Sequence, residues 1–320
     1  SLTELYRLRC FATVGFSLGI VRPEASGGTA EGVAQLIASP AARELMGALT
    51  DGAWRYRLAF IGRSHARGAV EEVAARAFAL CPEILNDAQQ APWFMDVHPL
   101  PRGLFVEMRP RVQPDPRWWY RKDDVAASSH PPLAAAMVRV AGPGKDEILW
   151  DPFCGAGMEL IERYLEGGVT RLFGTDLSAE AVAAARANLD AAKKARVHAR
   201  ILALDFRDYL KLPGFQPGQV SLIISNPPMG RRVRIPDMQA LFNDLFDVAA
   251  CVLKPGGRLV FANPLKLEPR DPTLKLEFRE TVDMGGFDVR LERYRKLPSR
   301  AASSPDPRLT GTVRPTGAEG

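Results

Sequence analysis

The stretch DEILWDPFCGAG, residues 146–157, decides the fold class. An apolar strand runs into two glycines, Gly155 and Gly157, that let the backbone turn tightly and approach a ligand that a Cβ would exclude. A lone G-x-G is a weak motif, so its meaning comes from its surroundings. The third glycine of a dinucleotide-binding fingerprint is absent, since Leu160 stands there, and no G-K-[ST] comes after it to make a phosphate-cradling loop. Downstream, strands and helices alternate. VTRLFGTDL, RVHARILALDF, QVSLIISN and GRLVFANP read as strands, and AEAVAAARANLDAAKK and MQALFNDLFDVAACVL as helices between them. This alternation predicts a doubly wound, mostly parallel α/β sheet over residues 136–298.

Upstream the rhythm differs. LYRLRCFATVGFSLGIV begins with strand-like alternation, and GTAEGVAQLIASPAARELMGAL is helical with an interruption at Pro40. WRYRLAFIG is a strand, RGAVEEVAARAFAL a helix, and WFMDVHPLPRGLFVEMRPRV two strands joined by a proline-glycine turn. Residues 1–110 are thus a smaller α+β domain. Residues 111–135 are a proline-rich linker carrying RWWYRK, and residues 299–320 have almost nothing to bury and read as a disordered tail. No apolar run approaches a membrane span. The scattered Cys10, Cys81, Cys154 and Cys251 form no C-x-x-C pair, which argues against a zinc ribbon or disulfide framework and suits a reducing cytoplasm. A net charge of +5 fits an anionic partner or simply an arginine-rich surface.

Ligands of open α/β sheets bind beyond the carboxyl ends of the strands, so the strand ends carry the chemistry. Asp176 in GTDL falls roughly 20 residues beyond the glycines, where an acid accepts both ribose hydroxyls of a nucleoside or else caps a helix. Asp205 in LALDF is placed to take an adenine amino hydrogen or to cap the next turn of the chain. Together the three strand ends describe an adenosine pocket. The fourth strand ends in SNPPMG, residues 225–230. Asn226 offers a side-chain carbonyl and Pro227 a backbone carbonyl with little freedom, and both accept hydrogen bonds from one planar amino group. Such acceptors orient the nitrogen and favour the pyramidal geometry that frees its lone pair, and the prolines fix them in advance.

In this order, DPFCGAG, GTDL, LALDF and SNPPMG resemble the class I S-adenosylmethionine-dependent methyltransferases, whose N-P-P-x tetrapeptide belongs to those that methylate planar amino nitrogens. YRKDDVAASSHPPLAAAMVRVAG and then ILWDPFCGAGMELIE are similar to the RNA guanine-N2 methyltransferases that carry an N-terminal THUMP-type RNA-binding region and act on tRNA or rRNA. The resemblance implies a Rossmann-like fold, S-adenosylmethionine as cofactor, and RNA, tRNA foremost, as partner. It places Asp151, Pro152, Phe153, Gly155 and Gly157 around the methionine part of the cofactor, Asp176 with Leu177 at the ribose, and Asp205 with Phe206 at the adenine. Ser129, His130 and Pro131 would lie near the cofactor carboxylate. Asn226, Pro227, Pro228 and position 229 would hold the target base. The family usually has Tyr or Phe at 229, where this chain has Met229, whose sulfur covers a ring with less energy than an aromatic stack.

Several readings stay open at this level. Arg231 and Arg232 hold flanking phosphates or form a solvated loop. Trp118, Trp119 and Tyr120 pack between domains, the commoner use of paired tryptophans, or stack on RNA, with Arg117, Arg121 and Lys122 as RNA-binding cations. His65, His98, His130 and His198 show no metal spacing, and methyl transfer to an amine needs no metal. Rival acceptors are rRNA guanine, the adenine amine of DNA and a protein amide. A catalytically silent RNA-binding factor is the non-enzymatic alternative.

Overall fold

The computed structural model describes residues 4, 6–24, 27–62, 67–112, 115–125, 128–192, 197–230, 234–284 and 286–298. The chain divides into two compact units, Phe11–Arg117 and Trp118–Gly320, the latter joined by Ser1–Cys10.

In the first unit the elements run β1 (Phe16–Val21), α1 (Gly28–Ile37), α2 (Pro40–Leu49), β2 (Arg55–Phe60), α3 (Arg67–Leu80), β3 (Leu85–Asn86), β4 (Trp93–Leu100) and β5 (Gly103–Pro110). Ser39 ends the first helical stretch and caps the second, its hydroxyl accepting from the Ala42 amide, while Pro40 takes the first helical position, where a missing N–H costs nothing. The sheet order is β1-β5-β4-β2-β3. β4 and β5 form the antiparallel hairpin expected from the proline-glycine turn, whereas β2 runs parallel to both β3 and β4. Val33, Ile37, Met46, Tyr56, Met95 and Val106 centre its core. One expected strand is shorter than its alternation suggests: pairing begins only at Phe16, and Arg9 belongs to the other unit.

The second unit continues with α4 (Pro131–Ala141), β6 (Glu147–Asp151), α5 (Met158–Leu165), β7 (Val169–Asp176), α6 (Ala179–Ala192), β8 (His198–Ala203), β9 (Val220–Ser225), α7 (Met238–Val252), β10 (Leu253–Asn263), β11 (Leu274–Asp283) and β12 (Asp288–Lys296). Its seven strands are ordered β11-β12-β10-β9-β6-β7-β8. All run parallel except β12, which is antiparallel to both neighbours. Side chains alternate across the sheet: Leu149, Leu222 and Ile224 pack under α4, α5 and α6, while Trp150 and Ile223 face α7 and the turn of 3₁₀ helix at Phe206–Lys211. Helices on both faces explain why β9 is buried at every position. The doubly wound, mostly parallel sheet is therefore the architecture that the alternation predicts.

Two boundaries differ from the composition. The unit with the seven-stranded sheet begins at Trp118 rather than 136, and it takes in residues 1–10. The region read as an extended linker contains a 3₁₀ turn at Pro116–Trp118 and the first residues of α4, which opens on Pro131 and Pro132. The tail from 299 lies outside the described residues. Among the described residues no helix is long and apolar enough to cross a membrane.

Candidate active site

β6 and β9 are adjacent strands at which the strand order reverses, β7 and β8 lying on one side and β10 on the other. The crevice of such a sheet opens beyond the carboxyl ends of that pair. Asp151 ends β6 and is fully buried. Its Oδ1 accepts from the Phe153 amide at 3.0 Å and from the Ser225 hydroxyl at the end of β9, while its Oδ2 has no donor. Burial, and after it the nearby charge of Glu159, pushes this carboxyl well above the usual range.

Asn226 comes directly after β9. Its Nδ2 donates to Ser129 Oγ at 2.9 Å, and its Oδ1 is buried without a partner. A third acceptor in the same state is Glu159 Oε1, on the first turn of α5, in a residue only 2% exposed. Burial raises the Glu159 carboxyl to about 7, while the polar hydroxyl of Ser129 works the other way. Three buried acceptor atoms with no donor are unusual in a folded protein. They fit a ligand that brings several N–H groups, such as an amino-acid ammonium or a base amine.

The turn after β6 is built around Gly155, at φ +48°, with open space where a Cβ would lie. Gly157, at φ +84°, also sits against Ala185, which a Cβ would approach to 3.2 Å. Only glycine takes this pair of left-handed conformations cheaply. Asp176, at the end of β7, locks the turn: its Oδ2 accepts from the Gly155 amide at 2.9 Å and its Oδ1 from the Ser178 amide at 2.9 Å. Beside it Leu177 is 76% exposed. Phe153 packs against Phe206 with ring centroids 4.9 Å apart. Asn188 of α6 holds the turn from behind, donating to the Ala156 and Asp123 carbonyls and accepting from the Lys122 and Asp123 amides.

A family model described as UPF0020: RMKL-like, methyltransferase domain matches residues 118–280. The chain belongs to this methyltransferase family. Among curated relatives, the methyltransferase is 30% identical over 159 residues to a protein of Methanothermococcus thermolithotrophicus named "Probable tRNA (guanine(10)-N2)-dimethyltransferase", covering 48% of this chain and 88% of that one. It is 31% identical over 183 residues to the "tRNA (guanine(6)-N2)-methyltransferase" of Thermus thermophilus, covering 56% of this chain and 53% of that one. It thus spans about half the length of the Thermus relative. The crystal structure of TrmN from Thermus thermophilus shares its fold, with a TM-score of 0.66 at 22% identity over 92% of this chain and 86% of that one. The methyltransferase uses S-adenosylmethionine.

Within it, the residues expected at the strand ends, Asp151, Pro152, Phe153, Gly155, Gly157, Asp176, Leu177, Asp205, Phe206 and Asn226 with Pro227, Pro228 and Met229, fall at the carboxyl ends of β6, β7, β8 and β9 in turn. His130 is exposed immediately before α4. Asp205 is the cap that its alternative reading expects. Its Oδ1 accepts from the Arg207 amide at 2.9 Å, and the Arg207 guanidinium, shared with Asp244, pairs with the carboxylate.

Arg117 requires correction. It is 4% exposed, and its guanidinium is spent on Asp115 and on the Phe11 and Ala12 carbonyls, at 2.8 and 3.1 Å, while covering the Phe11 ring. A guanidinium so enclosed has no face for phosphate. Arg121 is paired with Asp124, and Lys122 is exposed. Arg231 and Arg232 lie outside the described residues, as does His65. Tyr120 is fully buried in the core of the methyltransferase unit, Trp118 packs against that core, and Trp119 is partly exposed.

Sequence reasoning missed Glu159, Ser129 as a partner of Asn226, and Asn188. An acid in the first turn of a helix reads as a dipole partner, and only its burial marks it out. In the other unit, Asp96, His98 and Glu107 bring ligand atoms within 4.8 Å of one another, a grouping that the histidine spacing did not suggest. Asp96 takes two hydrogen bonds from Arg109, at 2.9 and 2.6 Å, and His98 Nε2 lies 3.1 Å from Glu107 Oε2, so each of the three side chains already has a partner.

Proposed function

We propose that the protein transfers a methyl group to the exocyclic N2 of a guanine in structured RNA, tRNA foremost. The guanine-N2 activities in the names of its relatives support the acceptor. The observation that carries the reading is Asn226: its Nδ2 is committed to Ser129, and its buried Oδ1, just beyond the end of β9, is left without a donor.

Each strand end has its own share of the work. Asp151 Oδ2 takes the α-ammonium of the cofactor, whose positive charge offsets the cost of burying the carboxylate. Asp176 takes the ribose hydroxyls, while Phe153, Leu177 and Phe206 supply apolar surface for the adenine and Asp205 accepts from its amino group. S-adenosylmethionine, when bound, supplies an electrophilic methyl on a sulfonium. Asn226 Oδ1 and the Pro227 carbonyl accept the two hydrogens of the target amine, which turns the nitrogen lone pair out of conjugation with the ring. Holding the amine in place in advance is worth several kcal/mol of barrier. No strong base is required, because the alkylated nitrogen is acidic enough to release its proton to water. Met229 covers the face of the extruded base, and extrusion costs a few kcal/mol. Residues Phe11–Arg117 contribute RNA recognition by shape, since that segment has eleven arginines, no lysine, and eleven acidic residues, and so no net charge of its own.

Tritiated methyl transfer to tRNA and rRNA lacking the modification, with nucleoside analysis of the product, tests this. Labelled N2-methylguanosine in tRNA is the expected product. Label in rRNA moves the substrate, and label only in DNA or protein overturns the acceptor class. Asn226→Ala should keep S-adenosylhomocysteine affinity within about threefold while turnover falls at least a hundredfold. Full turnover in that variant would sink the mechanism.

A further inference from the structure

The strand order leaves β8 at the edge of the seven-stranded sheet, with β7 as its one neighbour. The segment that joins β8 to β9 returns across the face on which Trp150 and Phe173 lie, seating the Phe215 ring 5.0 and 5.1 Å from theirs. Between that segment and the amino ends of β7 and β8 is a cavity of about 540 Å³, lined by Thr170, Arg171, Phe173, His198 and Gly214. Arg171 and His198 are partners in the β7–β8 register, so their side chains leave the sheet on the same face. Both are exposed, and no acid lines the cavity. Arg163, Arg207 and Arg279 of the same unit are each spent on carboxylates, whereas among the described residues Arg171 and His198 meet none. The Thr170 hydroxyl is donated to the Glu147 carbonyl at 3.2 Å, which leaves the guanidinium and the imidazole as the donors of the site.

We propose that this cavity is a second RNA site, which holds one backbone phosphate of the substrate away from the methylated base. Arg171 supplies a fixed charge and a fork of N–H donors, and the His198 imidazole one N–H beside it. The partner rests on the guanine-N2 reading of the function. The sequence around the site has the same sign: residues 193–200, KKARVHAR, carry Lys193, Lys194, Arg196 and Arg200 besides His198, and no Asp or Glu. Arg171 stands five residues before Asp176 on one strand, about 16 Å from the edge of the sheet where the crevice opens. A few base pairs of helix cover that span, so one RNA reaches both places. Phosphate contacts of this kind set the register of a nucleic acid on a protein, and remote contacts help to seat the reacting group. A free nucleotide offers the same phosphate chemistry, and the experiment separates the two sources.

Binding of unmodified tRNA, measured over a series of salt concentrations, reads the charge directly. Each phosphate neutralised contributes about 0.7–0.9 to the slope of log Kobs against log salt. Arg171→Ala should lower the slope by that amount and weaken binding about tenfold at low salt, while Arg171→Lys keeps the slope. His198→Ala should weaken binding about threefold with the slope unchanged. In all three, S-adenosylhomocysteine affinity and kcat at saturating RNA should equal those of the parent. A parental slope in Arg171→Ala overturns the proposal. So does a fall in its S-adenosylhomocysteine affinity, which would assign Arg171 to the fold instead.

The source of the phosphate is read at His198. The chain has four histidines, so ¹⁵N-histidine labelling gives four imidazoles, and the signals lost in His198→Ala identify the one of interest. Those signals should shift on addition of tRNA and stay in place with millimolar AMP. A shift with AMP and none with RNA assigns the cavity to a free nucleotide and overturns the proposal, as does no shift with either. Failure of the guanine reading appears separately, as RNA that binds with the Arg171-dependent slope yet takes no methyl label.

Discussion

Burial raises the Glu159 carboxyl to about 7 from an ordinary 4.5, so the native state favours its protonated form. Its contribution to stability is complete below pH 4.5 and is lost as the pH rises through 7. At pH 8 the ligand-free protein therefore carries a buried charge that costs about 3 kcal/mol. Glu159→Gln should be more stable than the parent by up to that amount at pH 8, with the difference closing towards pH 5. Urea titrations at the two pH values measure it.

At the scale of elements, the carboxyl ends of four parallel strands meet around one crevice, and α6 braces the turn between β6 and α5 through Asn188. That side chain is fully buried and uses both its oxygen and its nitrogen. Asn188→Ala leaves the Lys122 and Asp123 amides and the Ala156 carbonyl without partners, so a loss of about 1–3 kcal/mol is expected. Because Ala156 lies between Gly155 and Gly157, S-adenosylhomocysteine affinity should fall as well, which calorimetry would detect. The strand ends were legible in the sequence because a buried parallel strand and the turn after it have their own periodicity and composition. Asp151, Asp176 and Asn226 needed only that register to be found. Asn188 and the pairing of Ser129 with Asn226 were not, since these contacts reach residues 65 and 97 positions away and nothing local announces them. Arg117 misled for a related reason: a cation among aromatics reads alike whether it faces a phosphate or is closed over by carbonyls.

On the scale of the whole molecule there are two cores, one centred on Ile37, Met46 and Tyr56, and the other spread over both faces of the seven-stranded sheet. Each unit has a core of its own, so two calorimetric transitions are expected. S-adenosylhomocysteine at a hundred times its Kd should stabilise only the unit with the glycine turn, by about 2.7 kcal/mol. A single transition that moves as a whole would show the two to be coupled. The chain path adds a consequence of a different kind. Arg9 forks onto Glu162 through two hydrogen bonds, at 2.7 and 2.8 Å, and lies 4.7 Å over Trp118, while Tyr120 donates to the same carboxylate. Arg9 and Glu162 are 153 residues apart. At ribosomal rates of about 5–20 residues per second, Arg9 is made roughly 8–30 s before its partner exists. During that interval Phe11–Arg117 is already complete, so the unit synthesised in the middle folds first. The methyltransferase unit closes around Arg9 last, and a chain begun at Trp118 would reach that moment with a buried carboxylate and no arginine to meet it.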